Sequence, residues 1–149
     1  MKFFIGILFL LSFASCSSDD NSDVFNEEIK INGSWKPYKY EFRGKDIMVN
    51  DCTRRGQLFI NANFSGLYER YDMVESSGNC NKVDSFTGSW SFDKLYSTLT
   101  LSYMEAGVSK IMKKEIDSYS DTELRLYDNS QNLDNVPGND EAILVFRKE

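Results

Sequence analysis

The chain has 149 residues, a net charge of -6, three cysteines, two prolines and no histidine. That acidity argues against nucleic acid and against adhesion to anionic lipid surfaces. The missing imidazole removes the commonest general base and every Ser-His or Cys-His nucleophile pair, so an enzyme is not expected.

The N-terminus reads as an export leader. Lys2 supplies the positive charge, and residues 3–13 form an apolar run too short to span a bilayer, which needs about 20 residues. Small residues Ala14 and Ser15 precede Cys16, and Ser17, Ser18, Asp19 and Asp20 follow. This run resembles the signal of a bacterial lipoprotein. The resemblance implies that the Cys16 thiol is diacylated with palmitate-like chains, that the leader 1–15 is removed, and that the new amine is acylated in turn. Three chains at about 0.8 kcal/mol per buried methylene make desorption negligible. Ser17, where an inner-membrane retention signal has Asp, implies the outer membrane of a Gram-negative cell. Asp19 and Asp20 resemble an acidic cell-surface signal. Residues 16–28 read equally as a solvated polar tether. An ordinary secretory leader cut near Ser15 is the alternative. Loss of the leader removes Lys2 and no acidic residue, leaving a charge of -7.

Beyond a helical turn expected over residues 24–30, the chain reads as one β domain over 29–149. Ile31, Gly33, Trp35, Tyr38, Tyr40 and Phe42 alternate approximately, with a break at Pro37 where a bulge or edge is tolerated. A polar loop with Gly44, Asn50, Asp51 and Cys52 leads to a strand at 57–61, and Asn63, Phe64, Ser65 and Gly66 turn the chain into 67–74. A loop over 75–82 holds Cys80. Strands follow at 83–92, 98–103, 108–117, 122–127 and 141–148, giving eight in all. Residues 98–103, alternating Thr98, Thr100 and Ser102 with Leu99, Leu101 and Tyr103, carry the clearest half-buried pattern.

With Cys16 assigned to lipid, Cys52 and Cys80 remain in a chain exported to an oxidising compartment. A disulfide closing a loop of about 29 residues is the simplest assignment, contributing roughly 3–4 kcal/mol in the chain-entropy model. Free buried thiols and a metal pair are the alternatives, although no histidine or further cysteine completes a zinc site.

Eight short strands joined mostly by brief turns favour an all-β, up-and-down antiparallel barrel, because closure removes the sheet edges. Gly33-Ser34-Trp35 resembles the Gly-x-Trp signature of lipocalins and recurs as Gly88-Ser89-Trp90. With a cysteine after the first strand, a second cysteine and a final apolar strand, the chain resembles the lipocalin-like domain of bacterial lipoproteins. The resemblance implies an eight-stranded barrel with a pocket for a small apolar or amphipathic molecule, and Gly33 and Trp35 in structural roles at its closed end. The second lipocalin signature is missing after 108–117.

Tyr40, Tyr71, Phe86, Trp90 and Tyr103 are the candidate ligand-lining residues, with plain core as the competing reading, since small barrels fill their interiors. Oxygen-bearing residues crowd 128–140, but the spacing is not that of an EF-hand and these residue types make loops, so no metal is expected. Lys110, Lys113 and Lys114 read as a solvated strand face. Asp72 and Glu75 form a carboxylate pair of the kind any acidic protein contains. No cofactor is implied. The expected partners are the outer membrane through its lipid anchor and either a small apolar ligand or an envelope protein.

Overall fold

The computed structural model describes residues 31–74 and 76–149. The leader, Cys16, the tether, the helical turn expected at 24–30 and Glu75 lie outside the described residues.

Nine strands are present among the described residues: β1 (Gly33–Phe42), β2 (Lys45–Met48), β3 (Gln57–Ile60), β4 (Ser65–Met73), β5 (Cys80–Asp93), β6 (Thr98–Glu105), β7 (Val108–Tyr119), β8 (Glu123–Gln131) and β9 (Asp140–Lys148). All pairings are antiparallel, and β9 returns to β1 to close the sheet. β2 and β3 share one edge of β1, opposite residues 39–42 and 33–35 respectively. They are two halves of one stave, so the closed barrel has eight staves. β2 corrects the polar loop expected there: its residues Lys45 and Asp46 are exposed and only Ile47 is half-buried, so no alternation marks it. Other boundaries move too, two of them by several residues. β5 starts at Cys80 and β8 runs on to Gln131, both inside stretches expected to be loop.

Trp35, Leu58, Ile60, Trp90, Leu99, Leu101, Leu124, Leu126 and Phe146 fill the end of the barrel where β1 begins. Pro37 coincides with a register shift on the β1–β9 seam, as its missing N–H requires. Gly66 on β4 lies opposite Gly88 on β5. A Cβ on Gly66 would stand 1.9 Å from the Phe59 carbonyl oxygen and 2.9 Å from Trp90 Nε1. The bare backbone is what lets the Trp90 indole donate to Phe59 O at 3.0 Å.

Between the halves of the split stave, residues 49–56 leave the sheet through a 3-10 turn at Thr53–Arg55, which packs against β1 and β4. Pairing of β3 with β4 stops at Gln57–Glu69. Above it, the wall beside β4 is made by this excursion rather than by a strand. Cys52 is buried and bonded to Cys80, at the start of β5, with a Cα–Cα distance of 5.4 Å. The bridge crosses β4 and fastens the excursion to the far side of that strand.

Candidate functional site

The end opposite the apolar plug is bounded by the β1–β2, β4–β5, β6–β7 and β8–β9 connections. Residues paired across neighbouring strands share a face, so lumen and outer wall can be assigned from register. Leu99 and Leu101 are core, which turns their partners Lys114 and Met112 inward. Tyr68 is core, so Arg70 and Asp72, two and four residues on, face the lumen too, as does Asp84 opposite Arg70.

Above the plug the lumen therefore carries a charged layer. Arg70 Nε donates to Asp84 Oδ2 at 2.7 Å, and Arg70 Nη1 donates to Asp72. Gln131 Nε2 reaches from β8 to Asp72 Oδ1 at 2.8 Å. Lys114 Nζ lies 5.2 Å from the centroid of the Tyr68 ring and 3.6 Å from Asp128 Oδ1. The Asp128 side chain is 4% exposed and accepts from Ser130 Oγ at 2.6 Å and from Ser130 N–H at 3.3 Å. Burial, followed by the Asp128 charge, holds the Tyr40 and Tyr68 phenols well above the ordinary tyrosine range, so both stay neutral donors.

The five aromatic candidates separate into four settings. Phe86 and Tyr103 stack with centroids 4.3 Å apart, half-buried on the mouth side. Tyr40 is buried in the charged layer. Trp90 belongs to the plug. Tyr71 faces the outer wall, where its ring lies 5.5 Å from Lys82 Nζ, because strand alternation gives the lumen to Tyr68, Arg70 and Asp72 instead. Gly33 opens β1 with φ of +138°, and Trp35 is fully buried with Nε1 donating to Ile31 O at 2.6 Å.

Lys114 departs from the solvated face expected for it, whereas Lys110 pairs with Glu105 at the rim and Lys113 is exposed. Several of the oxygens crowded into 128–140 are engaged by the loop's own groups, and Asp134 Oδ2 accepts from Arg43 Nη1 at 2.9 Å. Asp140 Oδ2 accepts from the N–H groups of Leu133 and Asp134, Asp134 Oδ1 from Val136 N–H, and Asn132 Oδ1 from Asn135 N–H.

A second opening was not legible in the sequence. β7 and β8 pair only where Ile116, Ser118 and Tyr119 face Leu126, Arg125 and Leu124. Towards the mouth the two strands separate. A cleft of about 450 Å³ occupies the split, lined by Glu115, Tyr127, Asp128, Asn129, Asn139 and Glu141. Asp128 is common to this cleft and to the charged layer inside. Below the split, on the outer wall, Arg125 donates to both oxygens of Glu41 at 2.8 and 2.5 Å and to Asp117 Oδ2 at 2.9 Å. Those bonds, with a further one from Lys39, hold the Glu41 carboxyl down at about 2.

No curated protein and no solved structure matches the chain. A family model described as a lipocalin-like domain matches residues 31–126, more than half of the chain and seven of the eight staves in whole or part. The family is generally a binding, non-enzymatic fold. With the closed antiparallel barrel and the buried Gly-x-Trp start of β1 beside it, this match identifies the chain as a member of the lipocalin-like domain family.

Proposed function

We propose that this protein is a non-enzymatic binding module for a small molecule, carried on the outer membrane by acyl chains on Cys16 and facing the cell exterior. The observation that carries the binding reading is the contrast between the two halves of the barrel. The lower half is packed with apolar side chains alone, and the same core continues through Tyr40, Phe42 and Ala142 towards the mouth. There the upper half adds charged groups, a half-buried aromatic pair and a cleft within the 300–1,000 Å³ range of small-molecule sites. Of the two ligand classes implied by the fold, an amphipathic molecule suits these polar surroundings better than a purely apolar one.

Mass spectrometry of the chain gently extracted from its native membrane tests this. A stoichiometric co-purifying small molecule is the expected result, and repeated absence of one alongside a stable protein partner refutes it. The rival reading, a loop-mediated interaction with an envelope protein or with a foreign hydrolase, is favoured by one feature: Met104, Val108 and Ile111 are all more than half exposed on one hairpin at the mouth. For the anchor, Cys16→Ser is expected to lose both acyl mass and detergent partitioning.

A further inference from the structure

The two most exposed large apolar side chains among the described residues are neighbours, Leu95 at 82% and Tyr96 at 71%. They form the tip of the β5–β6 connection, at the plug end of the barrel. The tip is held in place by its own backbone. Asp93 Oδ1 accepts from Leu95 N–H at 2.9 Å and from Tyr96 N–H at 3.1 Å, Tyr96 O accepts from Thr98 Oγ1 at 3.0 Å, and Ser97 O accepts from Ile116 N–H on β7 at 2.7 Å. At the neighbouring turns of the same end the aromatics fold back: Phe64 packs against the core, and Tyr119 meets the Phe92 ring edge-on at 6.0 Å. Leu95 and Tyr96 alone are turned outward on a fixed turn.

The same end receives the chain. Ile31, the first described residue, is fully buried, and its carbonyl accepts from Trp35 Nε1 in the plug. It follows Cys16 by 15 residues. A coil of that length spans roughly 20 Å. A strand of 12 residues such as β7, tilted as barrel strands are, raises the mouth roughly 30 Å above the plug. With acyl chains on Cys16, the plug end is therefore the one that meets the bilayer.

We infer that the Leu95–Tyr96 tip docks into the surface of the bilayer that carries the anchor, holding the barrel upright with its mouth turned away. This rests on the acyl-anchor reading and adds an orientation to it. Leucine supplies apolar area, and tyrosine a ring whose apolar body and hydroxyl suit the boundary between acyl chains and headgroups. Such a contact needs no basic patch, which makes it compatible with an acidic chain. Its effect is on orientation more than on affinity, because three acyl chains already make desorption negligible.

Tryptophan quenching by brominated phosphatidylcholine tests this on the full acylated chain in phosphatidylcholine vesicles. Trp35 and Trp90 are buried and supply a constant background. Leu95→Trp is expected to lose at least half of its added emission to the brominated lipid, Ala62→Trp on the β3–β4 turn less than half as much as that, and Val108→Trp at the mouth none. All three positions are exposed, so unfolding curves like the parent's are expected. Because tryptophan itself favours the membrane surface, the native tip is read by iodination. Tyr96 should be shielded at least threefold on vesicles relative to the soluble Cys16→Ser chain, and Tyr127, exposed beside the β7–β8 cleft, should not. An unquenched Leu95→Trp, equal quenching at Ala62→Trp, stronger quenching at Val108→Trp or an unshielded Tyr96 each overturns the inference. Vesicle flotation separates the two readings: a parent that does not float refutes the anchor and the docking with it, whereas one that floats with Leu95→Trp unquenched refutes the docking alone.

Discussion

Removing the Cys52–Cys80 bridge is expected to destabilise the barrel by about 3.6 kcal/mol, from the loop-closure entropy of a 28-residue separation at 25 °C. That is a large part of the 5–15 kcal/mol that holds a typical domain together. The structure adds a location to the number. Towards the mouth, β4 has the 49–56 excursion on one side instead of a strand, and the bridge is what ties that excursion across β4 to β5. Urea unfolding of the Cys52→Ala, Cys80→Ala double variant should therefore show a midpoint lowered by the equivalent of 2–4 kcal/mol. Hydrogen exchange should accelerate first in residues 49–56 and 70–80, while the plug around Trp35 keeps its protection until global unfolding. A loss below 1 kcal/mol would refute the entropic account. Exchange accelerated equally in β6 and in the excursion would refute the picture of a locally closed seam.

Gly66→Ala places a methyl 1.9 Å from the Phe59 carbonyl oxygen and against Trp90 Nε1; a loss of about 2–3 kcal/mol in urea unfolding is expected from overpacking and the disturbed indole bond. Trp35→Ala should cost about 3–5 kcal/mol, since the side chain is fully buried and its Nε1 satisfies Ile31 O. Glu41 is more acidic folded, at about 2, than its ordinary 4.5. Its ion pairs thus stabilise fully above pH 4.5, and that contribution disappears as pH falls through 2. Acid titration of stability should be shallower in Glu41→Gln across this window, and identical slopes would count against the Arg125 clamp.

What the sequence shows of the fold is mostly its lower half and its turns. Alternation at Leu99 and Leu101 reports a strand that really is apolar within and polar without, whereas the run ending in Phe146 is apolar on both faces, with Leu144 and Phe146 in the core and Val145 buried on the outer wall opposite Lys39 and Arg125. Ala106-Gly107 is a two-residue turn with positive φ, the chemistry that tight hairpins need; Arg43-Gly44 has the same geometry, but it leads into β2, which reads as loop. Pro37 announced a disturbed register, and one is present. The upper half inverts the rule on which such reading depends. On β4 the periodicity offers Leu67, Glu69 and Tyr71 against Tyr68, Arg70 and Asp72, and nothing in it tells that the more charged set faces inward. The partners that permit this are Asp84 on β5 and Gln131 on β8, far away along the chain. Lys114 is inside for the same reason. The split between β7 and β8 has no signal of its own, because pairing is lost without any change in residue type. Tyr71 thus lies outside and Lys114 inside, each opposite to its expected setting.

The Lys114–Asp128 pair separates stability from function most sharply. At 3.6 Å the ammonium is too far for a good hydrogen bond, while Asp128 is almost wholly buried and its best contact is the Ser130 hydroxyl. A pair of this kind contributes little net stability, because its desolvation offsets its attraction. Breaking it by Lys114→Met leaves a buried carboxylate short of a counter-charge and should cost about 3 kcal/mol or more. Replacing both, Lys114→Met with Asp128→Leu, puts apolar groups on each side and should restore most of the loss in urea unfolding. If the charges serve a ligand, that restored protein will be stable yet lose the molecule that co-purifies with the parent. A double variant as unstable as the single one would mean that the pair holds the barrel together. One that is stable and still loaded would mean that the upper lumen takes no part in binding.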